Sequence, residues 1–522
     1  MTRIAPKRPH REWGDFQTPL DLAMRVCAHL AESGVAPDVV IEPTFGVGNF
    51  ISAALQTFPT LQRVYGVEIN PDYVERVTYS VSRDKLPHQK IELHCDNVFT
   101  HSFPKNLYDA QHLMIIGNPP WVTNAEIGSL EAGNLPKKSN IKSLNGLDAL
   151  TGKSNFDIGE FILIRLLDLF AHQHGTLALL CKNSVAKNFV ASLRQRRYPI
   201  VNIRTLTIDA QREFAAAVDA NLLVIEMGAA TNEMQCSVAS LEQPRVIQKT
   251  FGWIRDKFVS DIDVYESCAD IDGKSSRVWR QGIKHDCASV MELDADNGTL
   301  VNGLGENVGV EEEHLYWLLK GSDLKEFLAE PPRKKVIATQ TSLGDDTTQL
   351  QYIAPKLWAY LTRNASAFEK RKSSIYRDKP PFSMFGVGDY TFSPYKVAIC
   401  GLYKTPRFSL VLPDEQRPIL LDDTCYFLPF NHYADAVITT ALLNSNIAKA
   451  FLQSIAFADS KRPFTKEILM RVDLLRLVYQ ISFSEIERRH PSLEGITEID
   501  FEKYKHNLSA AVPQLHLAFP DR

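Results

Sequence analysis

Between about residues 36 and 228, short β-branched runs alternate with stretches of helical periodicity. Val39-Val40-Ile41 reads as a strand, with a turn and a helix over about 49–57 behind it. Residues 63–67 form a second strand candidate, followed by a helix over about 71–80. Residues 91–95 and 114–116 read as the third and fourth strands, 161–172 as a strongly apolar helix, and 176–181 and 222–227 as later strands. Repeated strand-then-helix order predicts an α/β fold, a mostly parallel twisted sheet with helices on both faces. In such sheets ligands sit at the carboxyl ends of the strands, near the switch in strand order.

The fourth strand runs into Asn118-Pro119-Pro120-Trp121. An asparagine side-chain oxygen and a prolyl carbonyl at a strand end are two acceptors without a competing donor. Together they can take both hydrogens of an exocyclic amino group while the indole stacks on the attached ring. These residue types in this order point to chemistry on an amino nitrogen.

The first strand ends in a glycine-bearing turn, Glu42-Pro43-Thr44-Phe45-Gly46-Val47-Gly48-Asn49-Phe50. Gly46 and Gly48 let the backbone approach a ligand closely. Glu68 ends the second strand, where a carboxylate accepts from both ribose hydroxyls. Asp96 ends the third, where it can accept from an adenine amino group. No Lys-Ser or Lys-Thr follows the glycines, which excludes a phosphate-gripping P-loop and favours a nucleoside cofactor without a polyphosphate. Upstream, Phe16-Gln17-Thr18-Pro19 reads as a helix start with Thr18 as cap, placed to receive the other end of such a cofactor.

From residue 123 to 157 the alternation breaks into a polar, basic stretch holding Lys137, Lys138 and Lys153. A loop of this length directly after the tetrapeptide reads as a substrate lid or nucleic-acid clamp. The expected domains are 1–245, cofactor-binding and catalytic, and 246–522, mixed α+β. In the second, aromatics interleave with basic residues, among them Lys370, Arg371, Lys372, Arg377, Lys461 and Arg462. The net charge is -4, so any nucleic-acid surface must be a local basic patch. Eight cysteines without a CxxC pair argue against a zinc site or a disulfide framework and suit a reducing compartment. No metal is expected. The basic N-terminus lacks an apolar core behind it, and no apolar run is long enough to span a bilayer. A cytoplasmic location without membrane contact is the expectation.

The order Phe16 to Pro19, Glu42 to Phe50, Glu68, Asp96 and Asn118 to Trp121 resembles the S-adenosyl-L-methionine-dependent amino-methyltransferases. It is most similar to the gamma-class N6-adenine DNA methyltransferases of restriction–modification systems. The resemblance is detailed over the N-terminal half and rests on position, size and composition beyond it. It implies a Rossmann-like domain followed by a target-recognition domain, with S-adenosyl-L-methionine as cofactor. Thr18 and the turn with Glu42, Pro43, Phe45, Gly46 and Gly48 would hold the methionine part, Glu68 the ribose hydroxyls and Asp96 the adenine N6, with Ile69, Asn97 and Asn118 also in the cofactor set. Where the family often has an aromatic residue, this chain has Asn97, with Phe99 and Ile69 as the alternatives. Asn118, Pro119, Pro120 and Trp121 would form the catalytic motif, and Phe214, with Trp121, would stack on the extruded base. The implied partner is double-stranded DNA, bound by a monomer, with room for a separate restriction endonuclease. The alternatives are cytosine N4 or an RNA amine as target, or an inactive DNA-binding protein of the same fold.

Overall fold

The computed structural model describes residues 16–83, 90–122, 157–215, 219–228, 233–296, 298–489 and 495–518. The chain forms two compact units, 1–263 and 264–522.

In the first unit the strands are β1 (Val39–Glu42), β2 (Arg63–Glu68), β3 (Lys90–Cys95), β4 (Leu113–Gly117) and β5 (Gly175–Lys182). They continue with β6 (Ile200–Ile208), β7 (Ala220–Met227), β8 (Gln235–Ser240), β9 (Lys249–Ile254) and β10 (Lys257–Val259). The helices between them are α1 (Leu20–Glu32), α2 (Asn49–Thr57), α3 (Pro71–Arg83), α4 (Ile158–Phe170), α5 (Asn183–Ser192) and α6 (Ala210–Phe214). All ten strands join one sheet in the order β10-β9-β8-β6-β7-β5-β4-β1-β2-β3.

From β3 to β5 every neighbour is parallel. The antiparallel β7 then inserts between β5 and β6. The expected parallel sheet is therefore the β3-to-β5 portion, and the rest is mixed. Strand order reverses between β1 and β4, so the crevice opens where β1, β2 and β4 end. Every residue of β1 and β4 is buried. Successive strand side chains point to opposite faces, so both faces of the sheet are covered. On one face Val40, Met114, Ile116, Ala178 and Val224 pack with Leu22 and Val26 of α1 and Phe50 and Ile51 of α2.

α4 begins at Ile158, three residues earlier than periodicity predicts, because the Asp157 carboxylate caps it by accepting from Gly159 N at 3.0 Å. Thr18 does not cap α1. Pro19 itself occupies the cap position with extended ψ, and no side chain bonds the first turn. A residue before proline is biased toward extended backbone, which moves the helix start past Thr18. The sheet also runs past residue 245: β9 pairs with β8, and β10 with β9. The compact division accordingly falls at 263/264 rather than 245/246.

The second unit is α+β. One antiparallel sheet joins Arg280–Gln281, Cys425–Phe430, Tyr395–Cys400 and Phe408–Val411. A second sheet, mixed, joins Thr299–Asn302, Glu292–Asp296, Lys334–Ile337 and Leu315–Leu319 antiparallel, with Leu420–Leu421 parallel at its edge. Its core includes Leu293, Leu318, Val336, Leu357 and Leu361. Among the described residues no helix is long and apolar enough to cross a membrane.

Candidate active site

A cavity of about 510 Å³ opens at the carboxyl ends of β1, β2, β3 and β4. Its wall contains Thr18, Glu42, Pro43, Phe45 and Gly46, then Glu68, Ile69, Asp96 and Asn97, and finally Asn118 and Pro120. Five segments far apart in sequence thus meet at one crevice: four lie where a strand ends, and the fifth, with Thr18, leads into α1.

The turn after β1 is fixed by side chains from elsewhere. Gly46 N donates to Glu68 Oε2 at 2.9 Å, and Val47 N donates to Gln17 Oε1 at 2.9 Å. Asn49 Nδ2 donates to Thr18 O at 2.7 Å, which ties the start of α2 to the segment before α1. Gly46 is left-handed with φ 51°, and a Cβ there would lie 2.3 Å from Gln17 Oε1. Gly48 is also left-handed, at φ 76°, but it lies outside the cavity wall. A Cβ on it would meet Val77 of α3 at 2.9 Å, so helix packing rather than ligand approach demands this glycine.

Glu68 closes the floor. Its Oε1 accepts from Asn70 N at 2.9 Å while Oε2 takes Gly46 N. Glu42 is buried and accepts from Ile51 N at 3.1 Å. Burial pushes its carboxyl well above the ordinary range, and burial with the Glu42 charge pushes the Cys27 thiol up to about 12. Asp96 lies one residue past β3. His101 Nδ1 at 2.7 Å and Asn97 N at 2.7 Å hold its carboxylate below its usual range.

Asn118 follows β4 directly. Its Nδ2 donates to Phe16 O at 2.7 Å. That bond fixes the amide flip and leaves Oδ1 buried without a partner among the described residues. A buried acceptor left open costs about 1–3 kcal/mol, so this oxygen marks a place where a donor belongs. Pro119 is buried behind the wall. A Cβ on Gly159 in the first turn of α4 would sit 3.6 Å from Pro119 Cγ and 3.8 Å from Pro120 O, so α4 backs the motif closely.

Trp121 and Phe214 do meet, with ring centroids 5.1 Å apart at 68°. Phe16 completes a trio, 5.4 Å from Trp121 and 6.3 Å from Phe214. Trp121 is 5% exposed and Phe214 9%, and neither lines the cavity. The two rings are brought together, but here they close on each other and on Phe16 rather than facing an open slot. Phe214 is held there through its neighbour, because Glu213 accepts from Arg25 Nη2 of α1 at 2.6 Å. Ile158 N donates to Val122 O at 3.0 Å, clasping the start of α4 to the end of the motif.

Lys137, Lys138 and Lys153, and the lid or clamp expected around them, lie outside the described residues. Lys370, Lys372, Arg377 and Lys461 are exposed. Arg371 and Arg462, the other two candidate phosphate contacts, are half-buried and also make contacts within the fold. The Arg371 guanidinium lies 3.8 Å from the Tyr376 ring centroid and donates to Ser383 O at 2.8 Å. Arg462 donates to Asp423 O at 2.8 Å. Both are engaged within the fold. Sequence reading quoted Gln17 within the helix start without giving it a role of its own, and it missed Asn70 and His101. A lone Gln, Asn or His carries no periodic signal; only the fold brings each to the crevice.

No family model matches the chain. It is 40% identical over 466 residues to the type II methyltransferase M.NspV of Nostoc sp. (strain ATCC 29411 / PCC 7524), covering 89% of this chain and 96% of that one. Among solved structures, an S-adenosylmethionine-dependent class I methyltransferase from Listeria monocytogenes, described as putative, aligns at 15% identity with a TM-score of 0.31, over 45% of this chain and 69% of that one. A modification subunit of a type I restriction enzyme from Vibrio vulnificus YJ016, also so described, aligns at 16% identity with a TM-score of 0.28, over 43% and 47%. The first unit has a Rossmann-like α/β fold, with the parallel β3-to-β5 portion carrying the crevice. The chain belongs to the type II methyltransferase family.

Proposed function

We propose that the protein is a site-specific DNA adenine-N6 methyltransferase of a restriction–modification system. It acts on an adenine extruded from duplex DNA, as a cytoplasmic monomer with a separate endonuclease as companion. The observation that carries this reading is Asn118 Oδ1, a buried acceptor without a partner among the described residues, fixed by the Asn118–Phe16 bond beside the cavity.

In this reading Thr18, Glu42, Gly46 and Pro43 surround the methionine end of the cofactor. Glu68 takes ribose hydroxyls, beside Ile69. Asp96 and Asn97 meet the adenine. The cavity supports it, since these groups share one wall and one crevice. Bound S-adenosyl-L-methionine supplies a methyl carbon on a sulfonium, ready for in-line transfer.

The N6 lone pair of adenine is delocalised into its ring. Asn118 Oδ1 and the Pro119 carbonyl accept its two hydrogens, which draws the nitrogen toward tetrahedral geometry and frees the lone pair. The same oxygens stabilise the positive charge that the nitrogen acquires as it takes the methyl. The remaining effect is positioning, after which a proton leaves N6 for water. A base inside a duplex is out of reach, so it must be extruded. Trp121 and Phe214 then open toward it, and each base–aromatic stack contributes about 1–3 kcal/mol. The second unit reads sequence, with Lys370, Arg371, Lys372, Arg377, Lys461 and Arg462 as the phosphate contacts.

Incubation with methyl-labelled S-adenosyl-L-methionine and mixed-sequence duplex DNA, followed by nucleoside digestion, is expected to yield N6-methyldeoxyadenosine. N4-methyldeoxycytidine, or label in RNA alone, would assign a different amine. DNA binding without label would assign an inactive binding protein.

A further inference from the structure

Asp96 has the most open side chain of the anchoring acids, at 48% exposed. An exposed aspartate is ordinarily free to change rotamer and makes a poor fixed acceptor. This one is buttressed from behind. His101 Nδ1 lies 2.7 Å from Asp96 Oδ2, and His101 Nε2 lies 2.8 Å from the hydroxyl of Tyr65 in β2. Tyr65 is 2% exposed and His101 7%. The column therefore runs from the sheet interior to the cavity edge. The backbone carrying it is fixed as well, since Arg165 of α4 donates to Val98 O and to His101 O, each at 2.9 Å.

The polarity is consistent along the whole column. An imidazole that donates from Nδ1 to the carboxylate accepts from the tyrosine hydroxyl at Nε2. An ionised carboxylate offers about four lone-pair sites. His101 occupies one on Oδ2 and Asn97 N one on Oδ1. The remaining pair is free for a ligand, with its direction set by the other two bonds.

We propose that His101, held by Tyr65, is a positioning residue that fixes Asp96 to recognise the exocyclic amine of the cofactor's adenine. This rests on the reading of Asp96 as the acceptor for that amine. His101 touches no ligand itself; it decides whether Asp96 discriminates an amine from a hydrogen at the purine 6-position.

The test compares two ligands by calorimetry, S-adenosylhomocysteine and its analogue with hydrogen in place of the 6-amino group. The wild-type protein is expected to prefer the amine by about tenfold or more, the scale of one hydrogen bond to a charged group. His101→Ala is expected to reduce that preference to about threefold or less, with KM for S-adenosyl-L-methionine raised far more than kcat is lowered. His101→Asn, which keeps a donor near the Nδ1 position, is expected to restore most of the preference. If His101→Ala does not fold, as judged by circular dichroism, His101→Gln, whose donor lies toward Tyr65, takes its place with the same expectation. Full preference in either variant overturns the role of His101. Absence of a preference in the wild type overturns the reading of Asp96, and the proposal with it.

Discussion

Replacing Asn118 by alanine separates the chemical role of this residue from its structural one, because the two have opposite effects on stability. For catalysis, the change deletes one acceptor that acts in the transition state, and loss of one such hydrogen bond lowers kcat by about 10²–10³. For folding, alanine loses the 2.7 Å bond to Phe16 O, and a bond of that kind contributes about 0.5–1.5 kcal/mol. Alanine also removes the unpartnered Oδ1, whose burial costs about 1–3 kcal/mol. The net therefore runs from a loss of about 0.5 to a gain of about 2.5 kcal/mol, so the variant should be about as stable as wild type or somewhat more stable. Asn118→Asp is the contrasting variant. It places an oxygen where Nδ2 now lies, 2.7 Å from the Phe16 carbonyl, and should be less stable than alanine. Single-turnover methyl transfer at saturating DNA and cofactor reads the first effect, and denaturant unfolding the second. A kcat loss below about tenfold, or a stability loss beyond about 3 kcal/mol, would refute the reasoning.

Three further outcomes are expected. Gly46→Ala forces a left-handed residue to carry a Cβ 2.3 Å from Gln17 Oε1; denaturant unfolding should show a loss of about 1–2 kcal/mol, and calorimetry weaker cofactor binding, whereas unchanged values would mean the turn adapts freely. Glu42 is buried with its carboxyl raised well above the usual range, and a cation placed beside it favours the ionised form. Binding of the sulfonium cofactor should therefore release a proton and tighten as pH rises through the free-protein pKa; calorimetry in buffers of different ionisation enthalpy should show this in the wild type and lose it in Glu42→Gln. In the second unit Lys396 is wholly buried and burial lowers its ammonium to about 7, against an ordinary 10.5. Between those values the unfolded chain binds the extra proton, so stability rises with pH across that window. Lys396→Met should flatten that slope and raise stability at neutral pH, and an unchanged slope in urea unfolding series would remove lysine titration as its cause.

How far the sequence foretold this molecule depends on where each signal resides. β1, β2, β4 and β5 were legible because burial on both faces leaves short, nearly continuous apolar runs. The acids and amide at their ends were legible because a strand end in such a sheet is a ligand position. β6 was not, since its pattern mixes exposed Val201 and Asn202 with buried Ile203 and Leu206. β9 and β10 were hidden for a related reason: they extend the sheet edge with half-buried, polar-rich segments such as Lys249 and Lys257. Gln17 and His101 act through contacts 30 and 36 residues away in sequence, with Val47 and Tyr65, and no local pattern reports such pairings. The aromatic trio was half legible: Trp121 and Phe214 stood out, while the third ring, Phe16, was quoted only as part of a helix start.

The Val122–Ile158 clasp has a topological consequence. It ties the end of the Asn118–Trp121 segment to the first turn of α4 through one amide–carbonyl bond of 3.0 Å. With those two anchors joined directly to each other, sequence changes between them are expected to leave the register of β4 and the seat of α4 as they are.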